Sequence, residues 1–228
     1  MTNTGKARKA AFRMIFWTLV LLLAMIAAGF IAVVVGSIIA GITSALIGVW
    51  VLFALLTLFF FRDPDPATPS MPNAIVSPAH GTVDVIDETD EPNVMGGRCR
   101  RISIFLSILD VHVQKAPVSG RIIHLKHTLG KFLSAAKADC GQHNENVLIG
   151  IECSDYPDQR FAVKLVAGMI TRRIVPWMEL GQPVKRSDRI GMIQYGSRCD
   201  LYMPLAVKIH SKLGDKVRGG ESIVASFE

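Results

Sequence analysis

Ile190 to Pro204 reads IGMIQYGSRCDLYMP. It is an apolar, strand-like run, then a Gly-Ser break with Arg198 behind it, then a second run in which apolar and polar residues alternate. That pattern puts Ser197 at the join of two β segments. A Gly-Ser pair carries nothing by itself, and the chain has another at Gly36-Ser37 inside an apolar stretch, where it reads as helix packing. The meaning of position 197 has to come from its surroundings.

Those surroundings read as strands. NAIVSPAHGTVDVI (residues 73–86), RISIFLSILDVHV (101–113), VLIGIEC (147–153) and FAVKLVAGMITRRIV (161–175) are rich in Val and Ile and bounded by Gly, Pro and Asp. Helical signal is weak, with residues 132–139 the only short candidate. A faint echo joins residues 116–132, 176–193 and 203–225, each a β-run, a turn such as L-G-x-x-V, a polar bend and another β-run. The last contains LGDKVRGGESI, which reads as a hairpin on Gly and Asp turns. The expected fold is mainly β: a compact barrel-sandwich, lipoyl-like domain over residues 74–228.

Ahead of it, residues 14–61 hold 48 positions without Asp, Glu, Lys or Arg, about twice the roughly 20 that a spanning helix needs. A transmembrane helical hairpin is expected, broken at GSIIAG (36–41), because one kinked helix would far exceed the bilayer. The run is also too long for a signal peptide. Residues 1–13 form a basic tail, and residues 62–73, within RDPDPATPSMP and its continuation, a Pro-rich extended linker. Lys6, Arg8, Lys9 and Arg13 before the spans and Arg62 after them predict both ends, and the β domain, on the cytoplasmic side of the cell membrane. Trp17 and Phe59-Phe60-Phe61 are expected at the lipid interfaces.

The formal charge is +6, yet no acidic residue precedes Asp63, so residues 62–228 carry 21 basic against 19 acidic side chains, a net of +2. The excess lies beside the membrane, where it meets anionic lipid; nucleic acid is not an expected partner. Cys99, Cys140, Cys153 and Cys199 show no CxxC pair and no ligand spacing, so no metal is expected. They read as small apolar side chains, with Cys199 no better a nucleophile than its neighbours. Phosphate loops and GxSxG elbows are absent from the sequence. Two histidines stand out: His112 in LDVHV, where alternation puts Asp110, His112 and Gln114 on one face, and His80 at the turn in SPAHGTV. His124, His127, His143 and His210 read as surface or structural.

Taken together and in order, VSPAHGTV, DVHVQKAPVSGRI, GKFLSA, NENVLI, AGMITRRIVPW, RIGMIQYGSRCDLYMP and the FFRDPD segment resemble the phosphatidylserine decarboxylase proenzymes of the short pyruvoyl-dependent subfamily. The resemblance covers nearly the whole chain after its tail. It implies self-cleavage between Gly196 and Ser197, giving chains 1–196 and 197–228, with Ser197 converted to a covalent pyruvoyl group, the cofactor. That group would form a Schiff base with phosphatidylserine and take up the electron pair as CO2 leaves, yielding phosphatidylethanolamine. The resemblance assigns His112 to activating the serine and to later proton transfer. It places Arg172 or Arg173 at the lipid phosphate, and alternation allows at most one of them into a pocket. A homo-oligomer is compatible with it.

One position departs from the pattern. Where such proenzymes read S-P-A-D-G, this chain has His80, and a histidine cannot stabilise an imidazolium at His112 as a carboxylate does. Slower processing is expected unless Asp84 or Asp110 substitutes. Two rival readings follow: a membrane-tethered lipoyl-like binding or adaptor domain, with an uncut chain, and an inactive decarboxylase relative.

Overall fold

Glycine in a helix interior costs only about 1 kcal/mol, and no proline interrupts the apolar run. In the computed structural model, which describes residues 6–133, 143–169, 173–194 and 197–227, that run is one continuous helix, α1 (Lys6–Phe60). The expected break at residues 36–41 is not formed. A Cβ on Gly36 or Gly41 would meet nothing within 4 Å, so no packed contact turns the chain there. Side chains from Arg13 to Phe53 are exposed, and Arg13–Phe60 is long and apolar enough to cross a membrane. A helix apolar on every side has the character of one solvated by lipid.

Leu58–Glu228 form a compact unit separate from Met1–Thr57. Its first residues are extended, as their prolines require. The Arg186 guanidinium donates to the carbonyls of Pro69 (2.9 Å), Met71 (2.8 Å), Pro72 (3.2 Å) and Ala74 (3.0 Å), pinning this linker to the domain.

The strands lie in three antiparallel sheets among the described residues. One holds β1 (Ala74–Val76), β14 (Ile223–Ser226) and β12 (Lys208–Ile209) in that order, and a second holds β4 (Val113–Lys115), β10 (Arg189–Gln194) and β8 (Arg173–Pro176). The third, of eight strands, runs β13 (Lys216–Val217), β2 (Gly81–Glu91), β3 (Gly97–Leu106), β11 (Ser197–Met203), β7 (Arg160–Ala167), β6 (Asn146–Cys153), β5 (Gly120–Thr128), β9 (Pro183–Val184). The mainly β expectation therefore holds. The hairpin expected in LGDKVRGGESI does not form: Gly214 and Gly220 both turn the chain at positive φ, so β13 joins β2 while β14 joins β1 and β12. The short helix expected at residues 132–139 falls largely outside the described residues.

β11 is the centre of the domain. All seven of its residues are buried, with β3 on one edge and β7 on the other. Strand alternation sends Cys199, Leu201 and Met203 into the main core with Ile102, Ile104 and Leu165. Tyr202 faces the other way, onto Val94, Cys99, Leu148 and Ala162. Arg198, on that second face, is buried and ion-paired with Asp84 of β2, which sits where a bulge shifts the β2–β3 register. Cys99, Cys153 and Cys199 are free and buried, as expected of small apolar side chains; burial pushes the Cys99 thiol up to about 11 and the Cys199 thiol well above its ordinary value. Cys140 lies outside the described residues.

The FFRDPD segment is tied to the second sheet by charge. Asp63 bonds the buried Lys115 Nζ at 2.9 Å and pairs with Arg189, which also reaches Asp65 at 2.7 Å. Burial pushes the Asp63 carboxyl up, but the hydrogen bonds and charges of Lys115 and Arg189 outweigh it and hold it below the usual range. A depressed carboxylate adds stability that is fully present above its unfolded value near 4 and is lost as pH falls through the lower folded value. Removing one partner of a buried pair strands the other charge, whereas an apolar replacement of the buried cation does not. Asp63→Asn should therefore cost about 3 kcal/mol at pH 7, the low end for such a loss because Asp63 keeps partial exposure, and Lys115→Met much less. Thermal unfolding of the two variants at pH 7 and at a pH well below 4 checks the order and its narrowing in acid.

Candidate functional site

Two of the connections between the eight-stranded sheet and the β4-β10-β8 sheet bound the candidate site. One leaves β3 at Leu106 and enters β4 at Val113; the other leaves β10 at Gln194 and enters β11 at Ser197. Because β3 pairs with β11 and β4 pairs with β10, the two crossings run side by side at one seam. Ser197 lies opposite Leu106 on one edge and Ala167 on the other. His112 lies in the neighbouring crossing, its carbonyl accepting from Ile193 N at 3.2 Å. The fold thus brings together two residues 85 positions apart in the numbering. Gly196 lies outside the described residues.

Ser197 is wholly buried, and its Oγ has no hydrogen-bond partner among the described residues. A buried hydroxyl without a partner costs about 1–3 kcal/mol, so its place at the seam calls for an explanation. The site also fits a small carbonyl group made from this serine, since the position is enclosed, packed beside apolar neighbours and closed to bulk water.

His112 is buried. Its Nδ1 stands 2.8 Å from the Asp110 carbonyl oxygen; a carbonyl can only accept, so Nδ1 carries the proton and the neutral ring keeps its lone pair on Nε2. Burial pushes the His112 pKa down; the Asp110 carbonyl bond and the Asp110 charge oppose this, and Arg62 adds to the lowering. Gln114 Nε2 holds the His112 carbonyl at 2.8 Å. The alternation expected for Asp110, His112 and Gln114 holds only in part, since β4 begins at Val113. Asp110 instead closes a turn, its Oδ2 accepting from Ser107 N at 2.8 Å.

Phe60 was expected in the lipid interface, but it is buried, its ring centroid 4.3 Å from that of His112 and tilted by 35°. The reason is sequence geometry: Arg62 Nη2 donates to the Leu109 carbonyl at 2.6 Å and Asp63 grips Lys115, which draws the end of α1 against the His112 crossing. FFRDPD was legible as a motif, but its contact with His112 was not. Asn144 was also missed. Buried at the end of β7, it donates through Nδ2 to the Ala167 carbonyl, directly opposite Ser197, at 2.7 Å.

His80 Nδ1 accepts from Gly219 N at 3.1 Å, leaving its proton on Nε2. The turn that carries it docks on β4 through Lys115 N to Pro78 O at 2.8 Å. Gly81, at φ 152°, must be glycine because a Cβ would stand 2.2 Å from the Phe105 carbonyl oxygen. Burial lowers the His80 pKa, Glu221 and Asp110 raise it, and Lys115 and Arg62 lower it. Of the two carboxylates that could replace a missing aspartate, Asp84 is taken by Arg198, whereas Asp110 serves His112 through its backbone carbonyl. Arg173 is exposed in β8 opposite Gln194, at the same seam; Arg172 lies outside the described residues. His127 pairs with Glu145 at 2.8 Å and His210 Nε2 meets Ser226 Oγ at 2.8 Å, both structural as expected.

The family model for phosphatidylserine decarboxylase matches residues 53–225. The chain belongs to the phosphatidylserine decarboxylase family. It is 39% identical over 179 residues to a phosphatidylserine decarboxylase proenzyme of Desulfotalea psychrophila, covering 78% of this chain and 83% of that one. A proenzyme of the same name from Pelobacter propionicus is 41% identical over 185 residues, 80% and 83% of the two chains. One from Wolbachia pipientis is 39% identical over 185 residues, 79% and 80%. The family match begins at residue 53 and so takes in Phe60 and the FFRDPD segment with the β domain.

Replacing Phe60 by Ala should open the ring face of His112 to water, cost about 3 kcal/mol for a large buried side chain lost, and raise the His112 pKa back toward its ordinary value. Imidazole titration by NMR in Phe60→Ala against the parent, with His112→Gln to assign its resonance among the six histidines, reads the shift.

Proposed function

We propose that this chain is a membrane-anchored, self-processing phosphatidylserine decarboxylase that makes phosphatidylethanolamine and CO2. The observation that carries the reading is the seam, where a buried serine hydroxyl without a partner among the described residues and a buried histidine whose Nδ1 is held by the Asp110 carbonyl lie on adjacent connections. Family membership supplies the reaction class.

In this reading His112 Nε2 takes the Ser197 hydroxyl proton as Oγ attacks the Gly196 carbonyl carbon. The peptide N–C bond breaks as the amine of residue 197 takes up a proton, leaving an ester. Removal of the Ser197 α-proton then expels the Gly196 carboxylate, and water releases ammonia and leaves a pyruvoyl group on the second chain. That ketone supplies an electrophile for the lipid's serine amine and a sink for the electron pair released with CO2. His112 is held for these proton transfers by the Asp110 carbonyl, and Phe60 and the surrounding strands exclude water from them. Arg173, exposed beside the seam, is suited to the lipid phosphate. Residues 197–228 would stay bound after the cut, since β11, β12, β13 and β14 all lie in them and pair into sheets, three of the four with strands from before the cut.

A single helix of 48 apolar residues would be roughly 72 Å long, against a hydrocarbon core of roughly 30 Å. Part of it therefore runs outside the core, and Arg62 at its end supports placing the β domain on the cytoplasmic side, where anionic lipid supplies the substrate headgroup.

Intact-mass measurement of purified protein should give two chains, of 196 and 32 residues by the numbering, with the smaller one reactive toward hydrazine; Ser197→Ala should give one intact chain. An uncut parent chain would favour the adaptor reading. The Asp110 carbonyl fixes the His112 tautomer but carries no charge to stabilise an imidazolium. His80→Asp should thus raise the His112 pKa, move the acid limb of the cleavage rate upward in pH, and speed fragment release at neutral pH by about tenfold, within what a positioned acid-base group contributes. Equal rates and profiles in parent and variant would show that the carbonyl suffices.

A further inference from the structure

A turn tip is ordinarily polar, yet the turn from Ser107 to Asp110 carries Ile108 and Leu109, exposed by 53% and 70%. The turn closes on itself: Asp110 N donates to the Ser107 carbonyl at 3.0 Å and Asp110 Oδ2 accepts from Ser107 N at 2.8 Å. With its polar ends satisfied, the turn projects two apolar side chains outward. Its position is fixed by Arg62, whose Nη2 donates to the Leu109 carbonyl at 2.6 Å while Nη1 caps Phe59 O at 2.8 Å. Arg62 is the first charged residue after the 48 uncharged positions of residues 14–61, where an arginine reaches the headgroup level as its stem lies along apolar surface. The tip therefore hangs at the depth where the chain leaves the bilayer.

We propose that the Ser107–Asp110 turn is a second membrane contact, with Ile108 and Leu109 docking on the lipid surface beside the exit of α1. A protein partner fits poorly, because two side chains on a tight turn offer far less than the roughly 800 Å² per side of a stable protein interface. A lipid surface needs no matching shape and is continuous with the apolar span. The docking has a consequence for chemistry: Asp110, the last residue of the turn, supplies the carbonyl that fixes the Nδ1 proton of His112. Seating the turn in lipid orders the group that aims His112, so the site is fully formed where its lipid substrate lies. This rests on the membrane-anchored reading above.

The test uses the full chain in Cys140→Ser background, where the other three cysteines are buried. Single Cys substitutions at Ile108, Leu109, Leu205 or Ile26 carry an environment-sensitive dye. Bilayers of phosphatidylcholine and phosphatidylglycerol contain a nitroxide placed at the depth of about 5–10 Å reached by surface-bound apolar groups. Leu205 is the control, exposed by 43% and following β11 at the end remote from Ser197; Ile26 reports the anchor. Labels at 108 and 109 should be quenched about threefold more than the label at 205, as expected for side chains seated in the interface. Quenching at 26 with 108 and 109 no different from 205 overturns the docking and leaves the anchor standing. No quenching at any position overturns the anchor and the docking with it. The same measurement in Ser197→Ala separates docking from catalysis, since a failure to self-cleave leaves the quenching unchanged.

Discussion

β11 is hydrogen-bonded along both edges and buried on both faces, and the rest of the domain follows from that constraint. A strand so enclosed cannot slip: a shift of one residue would send Arg198 and Asp200 into the place of Cys199 and Leu201 in the main core. Its first residue is therefore fixed in space. So is the end of β10, held in its own sheet by β4 on one side and β8 on the other. The candidate site lies where these two anchored strands end and begin.

Charge ties the membrane exit to the same seam. Arg62, Asp63 and Asp65 reach Leu109, Lys115 and Arg189, so the segment after α1 grips both crossings through β4 and β10. Phe60 then has one place to go, the ring of His112. A substrate delivered in a bilayer and a histidine held by the residue at the end of the membrane helix belong to one design. The buried polar groups support it. Arg198 is matched by Asp84, Lys115 by Asp63, and Asn144 by backbone carbonyls, which leaves Ser197 as the buried hydroxyl at the seam that finds no partner among the described residues.

Much of this was legible in the chain. The change from an uncharged apolar run to alternating Val- and Ile-rich segments marks the boundary of the β domain, because the period of a strand is written in its side chains. The ordered motifs point to the family and single out His112 and Ser197. Three local readings went differently. Glycines at positions 36 and 41 are too weak a signal to break a helix with nothing packed against it, LGDKVRGGESI has turn residues but no information on which edge its strands will join, and Phe60 is as apolar as any lipid-facing residue.

Composition, period and local order carry the class of the fold, the lipid-compatible segment, the family and the candidate site residues. The folded chain adds that His112 and Ser197 lie on neighbouring connections, that the Asp110 carbonyl bonds His112 Nδ1, and that the Phe60 ring lies against the imidazole. Strand pairing is non-local: which edges meet is set by the burial of every strand at once, and no stretch of sequence carries its partner's address.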